Sequence, residues 1–484
     1  MPSASPSSSS GAPESTGPSG AAERSGSADP SGPTATALLE RPGRTEHIEA
    51  PLVLDTEPPR TLRFRDHFAL WMNLGVSLIG FSTAATVLGA RGSELSLAAA
   101  VTAITVGTAV GTAMLGVAAL IGARTGAPAM ANLRGLFGTR LSYLPTVLNI
   151  VQCVGWGVFE LLTISAGAQT VAHTTGYRWL FVLLAGALTT ALTIWPLGSI
   201  AVLRRFVAGA VAVAMVYFTV QLGRQGVPDP GAGNWHGFLG ATDAMIAVSV
   251  SFVPLAADYT RHSRTPRSAF WGSFSGYTIA QVWCYVLGLM ALLQSDGDPN
   301  RIFDSFLGVW AGWLFLLVLV LRETDQSFAN VYSTAMSVQN LLPKVDRRVL
   351  SGAIGVLITV LALQIDEFTD TYYGFLGLIG SVFVPLLAVL VVDYFLGAGR
   401  RGWNLSADAP SRWLMLLPWA LGFAVYQFIA PTKVAGWWTD LWTSAQEALH
   451  FTPQEWTSAS LFAFLVPALV TWALTPLGRR AARS

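Results

Sequence analysis

The chain divides into about twelve apolar runs, each near the length that crosses a bilayer. They cover residues 67–89, 95–121, 142–172, 178–200, 203–222, 240–258, 269–293, 309–341, 347–364, 372–397, 412–431 and 459–476. About 20 predominantly apolar residues span the hydrocarbon core. Lipid offers no hydrogen bonds to the backbone, so runs of this length must form helices there. With 52% hydrophobic and 12% charged residues, the composition agrees, because soluble chains carry about 25% charge. The fold expected is an all-α polytopic membrane protein of about 12 transmembrane helices.

Charge sets the expected topology. Basic clusters such as Arg60, Arg63 and Arg65, or Arg261, Arg264 and Arg267, fall on alternate loops. The opposite loops hold only Arg91, Arg178, Arg224, Arg301 and Lys433. By the positive-inside rule both termini are cytoplasmic, in a multi-pass protein of the cytoplasmic (plasma) membrane. The net charge of +1 gives no electrostatic reason to expect a nucleic-acid partner. Residues 1–59, rich in Ser, Pro, Gly and Ala, read as a disordered cytoplasmic tail. They lack the pattern of a signal peptide. Residues 60–400 read as the core, and 401–484 as two additional helices with a cytoplasmic end. Whether residues 433–457 form an amphipathic surface helix is left open by the pattern. Cys153 and Cys284 lie inside apolar spans, which disfavours a disulfide or a metal cluster.

Two spans look interrupted. The first, "GVSLIGFSTAATVLG" (75–89), mixes Gly, Ser and Thr through its centre. The sixth, "MIAVSVSFVPLAADYTR" (245–261), carries Pro254, which removes a backbone donor. They stand five spans apart. Interrupted helices at corresponding positions of two halves point to a transporter binding site, here in repeats of about 67–222 and 240–397.

Ionisable groups inside a membrane are costly and usually functional. Glu160 lies in "QCVGWGVFELLTIS" (152–165), with Trp156 one turn before it and Gln152 one turn earlier again. The i, i+4 spacing puts amide, indole and carboxylate on one helix face. An indole offers a flat stacking surface, and a carboxylate accepts N–H bonds strongly. The stripe suits a flat heterocycle bearing N–H groups. Glu160 could equally pair with Arg322 to join two helices, or carry a proton. Span eight holds Arg322, Glu323 and Asp325; Arg322 and Asp325, at i and i+3, can pair locally. Thr324, Asp325, Ser327 and Asn330 could present oxygens to a hard cation such as Na⁺. Asp243, Asp258 and Asp393, at span ends near basic residues, read as structural.

These residues resemble the nucleobase:cation symporters, the purine/cytosine permease family. The resemblance rests on "FRDHFALWMNLGVSLIGF" (64–81), on "IGARTGAPAMANLRGLFGTRLSYLPTVLNIVQCVGWGVFE" (121–160), on "AADYTRHSR" (256–264) and on "VVDYFLGAGRR" (391–401). It implies a leucine-transporter-like five-plus-five inverted repeat plus two C-terminal helices. It also implies import of a nucleobase-like heterocycle by cation symport with alternating access. In the family the third-span Trp stacks on substrate, a role that falls to Trp156. The polar residue one turn later is here Glu160, where a glutamine or small residue is usual; an acid favours a donor-rich ligand. The second stacking aromatic, nine residues before the span-six Asp, falls on Ser249, with Phe252 nearby; Asn330 completes the expected substrate set. The family's sodium site maps to Gly75 and Leu78 on span one. On span eight it maps either to Leu321, Thr324 and Asp325 or, one residue on, to Arg322, Asp325 and Gln326. The second register places a guanidinium where sodium would sit and implies proton coupling. The coupling ion is thus H⁺ or Na⁺, with no other cofactor expected. Cytosine, purines, hydroxymethylpyrimidine, hydantoins and thiamine-like compounds all fit as substrates. A membrane-embedded enzyme would need a mid-span nucleophile and base, and a passive channel would not need two broken spans.

Overall fold

The computed structural model describes residues 58–481 except 90–94, 175, 196–199, 227–228, 230, 232, 296–297, 299–300, 343, 367 and 455. The expected tail therefore lies outside the described residues, apart from Pro58 and Pro59. Apart from two isolated bridges, Leu62 to Ser263 and Leu95 to Asn234, the described secondary structure is helical.

Span one is two helices, α1 (Phe64–Gly75) and α2 (Leu78–Gly89), meeting at a bend of 65°. Val76 between them is extended, with φ −89° and ψ 111°. Spans two to five are α3 (Leu97–Thr125), α5 (Tyr143–Val171), α6 (Arg178–Ile194) and α7 (Ile200–Arg224). Between spans two and three, outside the apolar runs, lies α4 (Ala129–Phe137). Its start is fixed from outside, since the Ala129 N–H donates to Asp258 at 2.8 Å.

Span six is α8 (Phe238–Val250) followed by α9 (Val253–Thr260). It is interrupted but not sharply bent, unlike span one. The reason is local: Ser251 and Phe252 keep right-handed helical angles, whereas Val76 does not. Pro254 supplies no N–H to the preceding turn, so the ladder breaks while the axis continues. The remaining helices are α10 (Pro266–Gln294), the short α11 (Asp304–Leu307), α12 (Gly312–Leu341), α13 (Arg347–Gln364), α14 (Phe368–Leu396), α15 (Leu416–Ile429), α16 (Gly436–Ala448) and α17 (Ala459–Ala481). Among the described residues seven helices are long and apolar enough to span a membrane, and the bent α1–α2 pair counted as one span makes eight. The α16 helix answers the question about residues 433–457: it has no buried residue, and Trp437 is 69% exposed.

Two packings position the polar centre. α1 lies along α10, where Gly272 and Gly276 face the α1 backbone so closely that a Cβ at Gly276 would strike the Phe68 carbonyl. α5 lies along α12, bringing the polar faces of spans three and eight together. Their sequence positions, five spans apart, are those of repeat mates.

Candidate functional site

The facing surfaces of α5 and α12 carry the expected ligand residues. Gln152, Trp156, Glu160 and Asn330 are all buried. Helical periodicity stacks the first three on one α5 face. Asn149, a turn before Cys153, reaches Ser337 on α12 at 3.3 Å. Nearer the centre, the Asn330 side chain faces the Glu160 carboxylate. Several polar atoms here lack protein partners among the described residues: Gln152 Oε1, Trp156 Nε1, Glu160 Oε2 and Ser327 Oγ. Buried polar groups normally find hydrogen bonds, and here four are left open across two helices.

Aromatic side chains build the wall around this cluster. The Trp156 ring stands edge-on to Tyr372 (6.0 Å between centroids) and Phe375 (5.3 Å), both on α14. Phe159 joins the same group. Tyr372 also hydrogen-bonds Thr83 of α2 at 2.8 Å. A cavity of about 210 Å³ lies beyond Tyr372, lined by Thr86, Thr163, Gln169, Arg178 and Phe368 among others. Tyr372 and Phe375 were not among the residues expected from sequence. The only signal for them is the aromatic density of "FTDTYYGF" (368–375), which by itself fits an ordinary membrane-interface segment.

Ser249 and Phe252 sit in a different layer. The Ser249 hydroxyl donates to Gln281 of α10 at 2.9 Å. Phe252 packs edge-on against Trp71 (6.1 Å) and Tyr277 (5.1 Å). The link between the two layers is Gln152, whose Nε2 donates to the Ser251 carbonyl at 2.8 Å, in the span-six interruption.

The span-one break is held from α12. Arg322 donates to the Asn73 carbonyl, and Gln326 Nε2 to the Leu74 carbonyl at 3.1 Å. Glu323 accepts from Ser77 Oγ at 2.7 Å, from the Leu78 N–H at 2.7 Å and from the Ile79 N–H at 3.4 Å. Of the two span-eight registers, Arg322 and Gln326 are the residues whose side chains meet the break; Leu321 is 57% exposed. Thr324 is buried one residue further along α12. The ion pair of Arg322 goes to Asp325 at 3.7 Å; Glu160 is within its electrostatic reach. Gly75 closes α1 so near α10 that a Cβ there would strike the Ala280 side chain and crowd Tyr277. Glu323, which in the sequence is only one charge among three, is thus the carboxylate with the richest set of donors at the break.

The three span-end acids also have structural partners. Asp243 accepts from Ser458 Oγ and the Ala459 N–H at the start of α17. Asp258 caps α4. Asp393 receives Arg412 through both guanidinium nitrogens (2.6 and 2.9 Å) and Trp403 Nε1 at 2.8 Å. In the turn after α9, burial lowers the His262 pKa below its ordinary value; its hydrogen bond to the Pro59 carbonyl opposes this and Arg261 adds to it.

A sharply broken first span, an interrupted sixth span and a polar cluster between spans three and eight define a membrane transporter of the leucine-transporter-like, inverted-repeat fold. Its family is that of the permeases for cytosine/purines, uracil, thiamine and allantoin, to which the chain belongs: the family profile matches residues 56–405. Over 357 residues the chain is 24% identical to the putative purine-cytosine permease YxlA of Bacillus subtilis (strain 168), covering 68% of this chain and 75% of that one. Its fold is similar to Mhp1 in an inward-facing conformation, with a TM-score of 0.70 and 15% identity over 87% of this chain and 92% of that chain. It is also similar to Mhp1, a nucleobase-cation-symport-1 family transporter, in a closed conformation with bromovinylhydantoin bound (TM-score 0.65, 18% identity, 90% and 96% covered).

Proposed function

We propose that this transporter imports a small, flat heterocycle rich in N–H donors, an aminopyrimidine such as cytosine being the type, across the cytoplasmic membrane by proton symport. One observation carries the reading: Trp156 and Glu160 are buried one helical turn apart, each with an unpartnered polar atom, opposite Asn330. The indole supplies the stacking face. The carboxylate supplies charge-assisted acceptors that match adjacent N–H groups. An acid at this place disfavours ligands that offer mainly carbonyl oxygens, because lone pairs would face lone pairs. Purines, hydroxymethylpyrimidine-like and thiamine-like compounds share enough donors or positive charge to fit the same site, whereas hydantoins fit it less well.

Proton rather than sodium coupling is supported by Arg322, whose guanidinium already serves the carbonyl end of the span-one break. The distribution of basic residues supports cytoplasmic termini.

The test is uptake into proteoliposomes. With Na⁺ replaced by choline and an imposed proton gradient, one or more of cytosine, adenine, hydroxymethylpyrimidine and thiamine should accumulate above equilibrium. Collapsing the gradient should abolish accumulation. Equilibration without accumulation of every compound would overturn symport, and strict Na⁺ dependence would overturn the choice of ion.

A further inference from the structure

A helix broken inside a membrane exposes acceptors at the end of its first half and donors at the start of its second. The two ends carry partial charges of opposite sign, negative on the carbonyl side and positive on the N–H side. In hydrocarbon both must be satisfied by protein or by an ion. At the span-one break, α12 satisfies both ends. Adjacent residues serve opposite sides of the break. Arg322 donates to the Asn73 carbonyl at the end of α1, and Glu323 takes Ser77 and the first N–H groups of α2. Gln326, one turn from Arg322, adds the Leu74 carbonyl. Both Arg322 and Glu323 are buried, at 2% and 0% exposure. Each charge therefore faces the helix end of opposite sign.

We propose that Arg322 and Glu323 act as a built-in pair of opposite charges, one for each helix end, that stands in for a dissociable cation at this break, and that Glu323 is a positioning residue for transport. A mobile cation could satisfy only the carbonyl end. The Arg322 and Glu323 pair satisfies both ends and ties them to the helix that carries Asn330. The angle between α1 and α2 is thereby coupled to the ligand face of α12. A sodium ion would have to displace a covalently tethered guanidinium and then sit beside its charge. The proposal leans on the function reading only where a heterocycle serves as the reporter, and the deciding measurements need none.

The experiment uses the purified full-length protein in detergent. Melting is followed while NaCl replaces choline chloride at constant ionic strength, for wild type, Arg322→Ala, Arg322→Lys, Glu323→Gln and Glu323→Asp. Wild type should show no saturable stabilisation by Na⁺. Arg322→Ala should melt lower and recover when guanidinium at low millimolar concentration or Na⁺ is added; Arg322→Lys should need neither. Hydrogen exchange at Leu78 and Ile79 should quicken roughly tenfold to a hundredfold in Glu323→Gln, the range of a lost hydrogen bond to a charged acceptor, and less in Glu323→Asp. Saturable Na⁺ stabilisation of the wild type would overturn the built-in pair, as would hinge amides that exchange equally in Glu323→Gln. If Arg322→Ala does not fold, the wild-type titration and the Glu323 exchange rates still decide. Failure of wild type to bind any heterocycle would reject the substrate reading and leave these outcomes intact.

Discussion

Replacing Glu160 by Gln changes one carboxylate oxygen into an NH₂ group while keeping the shape of the side chain. Its surroundings determine the cost. Asn330 faces the carboxylate, and Oε2 has no protein partner among the described residues. The new amide can turn its NH₂ towards Asn330 and leave its single oxygen for the ligand. A ligand presenting one N–H then exchanges a charge-assisted bond for a neutral one, a loss of about 1 kcal/mol. A ligand presenting two adjacent N–H groups, as an aminopyrimidine does once its ring nitrogen is protonated or as the N1–H and amino edge of guanine does, also leaves one buried donor unsatisfied, adding about 1–3 kcal/mol. The two-donor ligand should therefore bind roughly 30- to 1000-fold more weakly, at about 1.4 kcal/mol per tenfold. The one-donor ligand should lose only about five- to tenfold by the same conversion. The ligand-free protein should melt no lower, because the ion pair between Arg322 and Asp325 is untouched. Ligand-induced melting shifts across a series of one- and two-donor heterocycles measure both quantities, since a ligand of the folded state raises apparent stability. Equal losses for both ligand types, or unchanged affinity with a lower melting temperature of the free protein, would refute the reasoning. The second result would make Glu160 a helix-joining residue.

Three further outcomes rest on the same geometry. Trp156→Ala should weaken heterocycle binding by about 1–3 kcal/mol, the range for base–aromatic stacking, and Trp156→Phe should restore part of it; an unaltered dissociation constant in the Ala variant would reject the stacking role. Asp393→Ala leaves Arg412 without its bidentate partner and should cost about 3 kcal/mol, the low end for breaking a buried pair because the Arg412 side chain is 28% exposed; an unchanged unfolding midpoint in detergent would show that the pair contributes nothing. His262 accepts from Arg261 Nε through Nε2 (3.2 Å) and meets the Pro59 carbonyl through Nδ1 (3.2 Å), an arrangement of the neutral ring. Its lowered pKa means the detached state binds the proton more readily, so the packing of residues 59–62 on 262–264 is full above the ordinary value of about 6.5 and weakens as pH falls below it. Amide exchange at Leu62 and Arg264, corrected for intrinsic rates, should quicken on acidification, and His262→Gln should flatten that response.

Much of the fold was legible because bilayer insertion is decided locally. Every apolar run corresponds to a helix or a broken pair, including α12 with its three charges. The Trp156–Glu160 spacing was legible because helical periodicity alone puts residues four apart on one face. What failed to show was anything set by the rotation of one helix against another. Counting back from Asp258 led to Ser249, yet the turn through Ser251 and Phe252 directs Ser249 to Gln281 and Phe252 to the Trp71 layer. Tyr372 and Phe375 are more than 200 residues from Trp156 in the chain, and no local pattern announces that they meet it. The α4 helix lies outside every apolar run, and no local pattern announces that its first N–H meets Asp258, a residue of another span.

The sequence by itself determined the membrane class, the helical character of the apolar runs, the weak point in span one and the polar stripe of span three. Each depends on composition or spacing within about twenty residues, and lipid enforces the outcome. The tertiary structure decided which charge serves which partner. In "LRETD" (321–325) three ionisable side chains lie within four residues, and the string allows each to pair locally, to bind a cation or to read a ligand. Only the docking of α12 beside the break turns Arg322 towards the end of α1 and Glu323 towards the start of α2, because helix-end charges become specific when a helix is placed against them.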